Sequence, residues 1–158
     1  MDIRVVKVDT MNMAGYLLKV DMVDVMNDNP IPKFWGEIMS SDRYGQLQKL
    51  KGRCKAEYGV CIMHEGNKSM DYVVAVALED DTDVPEGLYK CQIPAGEYAV
   101  AETTMAGIGQ TWAGLDKWTS DNGYHTDRNT SFEFYDERMA NPDPDKKTFD
   151  IYVPIAKK

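Results

Sequence analysis

Residues 129–138 read N-T-S-F-E-F-Y-D-E-R, a run whose first half has the aromatic and β-branched content of a strand. A strand turns successive side chains to opposite faces. Phe132 and Phe134 therefore point one way, and Glu133 and Tyr135 the other. Residues 147–157, K-T-F-D-I-Y-V-P-I-A-K, alternate in the same manner. There Phe149, Ile151, Val153 and Ile155 share one face, and Asp150 and Tyr152 share the other. The segment between them, M-A-N-P-D-P-D-K (139–146), is rich in turn residues, so the two runs are expected to pair as a hairpin. The pair is expected to present one apolar face and one face carrying Glu133, Tyr135, Asp150 and Tyr152. Residues two apart lie about 6.5–7 Å apart along a strand, so these four are expected to line one compact site.

Working outward, residues 109–123 (G-Q-T-W-A-G-L-D-K-W-T-S-D-N-G) form a short amphipathic helix pattern, with Thr111 as the expected N-cap and Gly123 as its stop. Before it, residues 88–104 read as a strand bent near Pro94 and Gly96. The first half of the chain runs through the same events. Residues 3–21 are strand-like, with Gly15 marking a kink or bulge. Residues 27–50 open on a turn with two prolines and continue as a helix carrying Phe34, Trp35, Ile38 and Met39. Residues 57–66 and 70–80 are two strands joined by a turn. The acidic, proline-containing segment 80–87 (D-D-T-D-V-P-E-G) separates the halves, about 1–79 and about 87–158. Each half reads β-α-β-β, so the fold class is α+β, with a duplicated unit, antiparallel hairpins and one helix per half.

Composition narrows the function. The net charge of -8 argues against nucleic acid, because phosphate binding needs clustered Lys and Arg. No run of about 18 apolar residues occurs, so no transmembrane helix and no membrane partner is expected. The opening M-D-I-R-V-V-K-V lacks the layout of a signal peptide, and a cytoplasmic location is expected. Three cysteines, Cys54, Cys61 and Cys91, form no C-x-x-C pair, so neither disulfide nor zinc is expected. No G-x-S-x-G, P-loop, G-x-G-x-x-G or H-E-x-x-H motif is present, and no cofactor or metal is expected.

The aromatic content of the Glu133 face suggests a pocket wall rather than a solvated sheet surface. Burying an unpaired carboxylate there is costly, and a bound organic cation would satisfy it. Further aromatics are ranked below these. One of Trp112 and Trp118 is expected in the core and the other at the groove. Trp35 either packs or lines the ligand. Tyr16 and Tyr98 occupy matching strand positions and face either pocket or core.

The order I-P-A-G-E-Y-A-V (93–100), G-I-G-Q-T-W-A-G-L-D-K-W (107–118), F-E-F-Y-D-E-R (132–138) and F-D-I-Y-V-P-I (149–155) resembles the GyrI-like small-molecule-binding family. That family includes gyrase-inhibitory proteins and effector-binding domains of multidrug-sensing transcription regulators. The likeness is looser in the first half, through F-W-G-E-I, Y-G-V-C and M-D-Y-V-V-A-V-A-L. It implies two pseudo-symmetric βαββ units around a central ligand groove. It also implies that the carboxylate matching Glu133 meets lipophilic cations, with the positions of Tyr135, Asp150 and Tyr152 nearby. Some stand-alone members are hydrolases that open the cyclopropane ring of DNA-alkylating compounds. In that reading Glu133 is the general base and Tyr135 or Tyr152 its partner. Other members act on a protein, so DNA gyrase or a regulator is a further expected partner class. Because the chain begins directly with the effector-type domain, transcriptional regulation by this chain alone is not expected.

Overall fold

In the computed structural model, residues 1–79 and 82–158 are described; Asp80 and Asp81, at the start of the expected connector, lie outside the described residues. The strands are β1 (Ile3–Val8), β2 (Met11–Asp21), β3 (Glu57–Met63), β4 (Ser69–Ala77), β5 (Tyr89–Ile93), β6 (Gly96–Thr103), β7 (Tyr124–His125), β8 (Thr130–Tyr135) and β9 (Phe149–Lys157). The helices are α1 (Met22–Asn27), α2 (Ile31–Met39), α3 (Asp42–Leu50) and α4 (Ile108–Asp121). The mixed α+β class with antiparallel strands is as expected.

Two compact units are present, Met11–Ile93 and Met1–Thr10 with Pro94–Lys158. In the first, the strand order is β5-β2-β4-β3; in the second it is β1-β6-β9-β8, with β7 added to β9. Within each, the succession strand, helix, strand, strand places the last strand in the middle: β2-β4-β3 and β6-β9-β8. The repeated βαββ order is therefore a repeated topology. The units do not divide at the expected connector. β1 precedes β2 in the chain but pairs with β6, and β5 precedes β6 but pairs with β2.

Local chemistry explains where elements stop. The expected single helix over 27–50 is broken at Ser40–Ser41. The Ser40 hydroxyl donates to Gly36 O (2.8 Å) and ends α2, while the Ser41 hydroxyl accepts from Arg43 N (3.3 Å) and caps α3. α1 was not foreseen, and one helix per half holds only for the second unit. Thr111 is not the N-cap, because α4 begins one turn earlier behind Gly107. Thr111 is buried within the helix, and its hydroxyl donates to Thr103 Oγ1 on β6 (2.8 Å). Gly123 does follow the helix end, at φ 76°. Gly15 is no bulge: it sits in the regular ladder opposite Ala75. A Cβ there would fall 1.9 Å from the Val74 carbonyl oxygen, so the residue allows two strands to approach closely.

The core of the first unit includes Met13, Ile38, Leu47, Val60, Tyr72 and Ile93, and that of the second Tyr98, Leu115, Phe132, Phe149 and Ile151. In the second unit α4 lays Thr111, Leu115 and Thr119 against one face of β6 and β9.

Candidate functional site

Residues directly opposite in an antiparallel pair share a face. The β8–β9 register sets Phe132 opposite Tyr152, Glu133 opposite Ile151, and Phe134 opposite Asp150. Glu133 and Tyr135 thus lie with Phe149 and Ile151, whereas Asp150 and Tyr152 lie with Phe132 and Phe134. The expected single face bearing two carboxylates and two phenols does not form. The alternation within each strand is as read. The register between them is set across residues 136–148, and a one-residue offset moves a whole strand's side chains to the other face.

Glu133 and Tyr135 lie on the face that carries α4, because Phe149 pairs with Thr103, which bonds Thr111 of that helix. Both are buried, at 6% and 8% exposure. The Tyr135 hydroxyl donates to Glu133 Oε1 at 2.9 Å. The Tyr135 ring packs on Phe149 with centroids 4.5 Å apart. A phenol bond of this kind orients a carboxylate and favours its charged form. On α4, Trp118 is half-buried and stacks on Tyr124, with ring centroids 5.5 Å apart. Trp112 is half-buried on the same helix.

The opposite face holds a different chemistry. Phe132 and Tyr152 stack at 4.3 Å, and Tyr98 meets Phe132 edge-on at 5.4 Å. Tyr98 is fully buried; its hydroxyl donates to Pro94 O (2.6 Å) and Arg128 covers its ring. Burial pushes the Tyr98 phenol up, with Arg128 opposing. The match with Tyr16 fails by one residue: Tyr16 directly follows Gly15, whereas Tyr98 is two beyond Gly96. Tyr16 donates to Gln46 of α3 instead (2.6 Å). Asp150 is buried and takes a bidentate pair from Arg138, Nη1 to Oδ1 at 3.1 Å and Nη2 to Oδ2 at 3.0 Å, with Arg4 Nη2 at 3.4 Å. Its carboxylate is therefore an internal partner. Burial, then the Asp150 charge, holds the Tyr152 phenol above its usual range.

Arg138 is the residue missed from sequence. It also reaches Glu102 Oε2 (2.7 Å) and Asp136 Oδ1 (2.8 Å). The Arg138 and Thr148 bonds hold Glu102 below the usual carboxylate range. For Asp136, burial pushes upward but the side-chain and backbone bonds of Arg138 outweigh it, and the result is again a lowered carboxyl. Its sequence signal was slight: an Asp two residues before the Arg, just past a strand. In the other unit, the Trp35 indole N–H donates to the hydroxyl of fully buried Tyr72 (2.8 Å), a partner also not foreseen.

A family model described as Cass2, integron-associated effector binding protein, matches residues 4–155. The chain belongs to the Cass2 family. The GyrI-like resemblance read from the sequence thus holds for family and fold. This Cass2-family chain is 28% identical over 104 residues to the transcriptional regulator BrlR of Pseudomonas aeruginosa, covering 64% of the chain and 38% of the regulator. The match therefore spans well under half of that curated relative's length. Among solved structures, SAV2435 bound to tetraphenylphosphonium is similar with a TM-score of 0.79 at 16% identity, over 99% of this chain and 94% of that one. EcmrR in its complex with DNA is similar with a TM-score of 0.69 at 18% identity, over 99% of this chain and 58% of that one. At these identities the likeness is one of fold. Among the described residues of this Cass2-family chain, no helix is long and apolar enough to cross a membrane.

Proposed function

We propose that this chain binds hydrophobic organic cations, with the Glu133 carboxylate supplying the charge and Tyr135 holding it in place. The observation that carries the proposal is the buried strand carboxylate of Glu133, hydrogen-bonded at 2.9 Å by Tyr135, whose ring packs on Phe149. Charge interactions strengthen as water is excluded. An aromatic face over a cation adds roughly 0.5–2 kcal/mol. Membership of an effector-binding family supports the ligand class, as does the fold likeness to a protein solved with tetraphenylphosphonium. Trp112, half-buried on α4, is proposed as a further aromatic contact. Asp150, Tyr152 and Tyr98 are assigned instead to the internal network of the opposite face. The net charge of -8 supports a role without direct nucleic-acid contact by this chain.

The test is calorimetric titration with tetraphenylphosphonium and with neutral triphenylphosphine oxide. Glu133→Gln keeps the shape and removes the charge. It is expected to weaken the cation about tenfold or more, and the neutral compound by far less. Equal losses for both would refute the electrostatic role.

A further inference from the structure

We infer that Arg138, acting through Asp136 and Asp150, is a positioning residue that sets the Tyr135–Glu133 hydrogen bond from the opposite face of the sheet. For its consequence on ligand affinity this rests on the cation-binding proposal; the geometry it names is tested separately.

Phe134 lies opposite Asp150 in the β8–β9 ladder, and Tyr135 is the next and final residue of β8. Its neighbours on either side are anchored on the opposite face. Phe134 is held by pairing with Asp150, and Asp136 is held by Arg138 through Nε to Oδ1 (2.8 Å) and through the Arg138 backbone N–H (3.1 Å). The same guanidinium grips both oxygens of Asp150 on β9 and one oxygen of Glu102 on β6. One planar fork thus ties the end of β8 to two neighbouring strands. With both flanking residues fixed, the Cα–Cβ direction of Tyr135 is fixed toward the α4 face, where its hydroxyl meets Glu133. A lysine there keeps the charge but cannot hold three carboxylates in that geometry.

Charged groups on the Glu133 face of this unit include the exposed Lys157 on β9. Glu97 on β6 and Lys7 on β1 lie two and three strands away, and Asp116 and Lys117 are exposed on α4.

The experiment follows the Glu133 carboxyl by carbon-13 NMR across pH, using protein labelled at glutamate and Glu133→Gln to assign the signal. Loss of the phenol bond disfavours the carboxylate, so Tyr135→Phe is expected to move the titration midpoint up by about one pH unit. Arg138→Lys is expected to move it upward by a similar amount, and the double variant no further than either alone. An unmoved midpoint in Arg138→Lys, or two shifts that add, would overturn the inference. If Arg138→Lys does not fold, Asp136→Asn is read in the same way. That variant removes a negative charge, which alone would lower the midpoint, so an upward movement supports the positioning role and a downward one refutes it. Tetraphenylphosphonium titrations on the same samples separate the two proposals. A wild-type protein that ignores the cation refutes the binding proposal, while the NMR still decides the role of Arg138.

Discussion

Arg138 meets three carboxylates, and the acid limb of stability follows from that arrangement. Glu102 and Asp136 are held below their ordinary values in the folded state. A depressed carboxyl contributes stability that is fully present above its unfolded value, near pH 4, and is lost as pH falls through the lower folded value. Thermal melts followed by circular dichroism are expected to show the melting temperature falling below about pH 4. In Arg138→Gln that acid-side fall is expected to be shallower; an unchanged slope would contradict the assignment. At this scale the Glu133–Tyr135 pair was legible, since two residues apart on one strand must share a face. Asp150 was misjudged because its face depends on a register written in no local pattern. Its partner Arg138 lies twelve residues earlier and is brought back by a turn.

β2 shows what an element needs that a propensity scale does not reveal. Gly15 is a weak strand former, and a kink was the natural expectation. In the sheet its missing side chain lets the β4 backbone approach, with a hypothetical Cβ only 1.9 Å from Val74 O. Gly15→Ala is therefore expected to destabilise the protein by about 2–3 kcal/mol in urea unfolding, as overpacking against backbone does. A loss below about 0.5 kcal/mol would show that the strands separate freely. The βαββ succession itself was readable, because hydrophobic period and turn residues mark each element. The break at Ser40–Ser41 was less so. Serine favours both the end of one helix and the cap of the next, and pattern alone does not choose.

For the whole molecule, the chief departure from the sequence expectation is the exchange of leading strands. Ile3–Val8 belongs with β6, although the chain passes next into β2. Sequence similarity between halves finds the repeat but does not say which repeat an edge strand joins, because either edge satisfies the same alternation. Deleting residues 1–8 is expected to raise amide hydrogen exchange in Gly96–Thr103 while leaving β4 protected. Loss of protection in β4 instead would contradict the assigned units. The central claim is that a lipophilic cation is held through Glu133. Its most direct measurement is the affinity of tetraphenylphosphonium for the wild-type chain and for Glu133→Gln, read against triphenylphosphine oxide. The account predicts a loss of about tenfold or more for the cation with the neutral compound little changed; equal affinities of both proteins for the cation would contradict it.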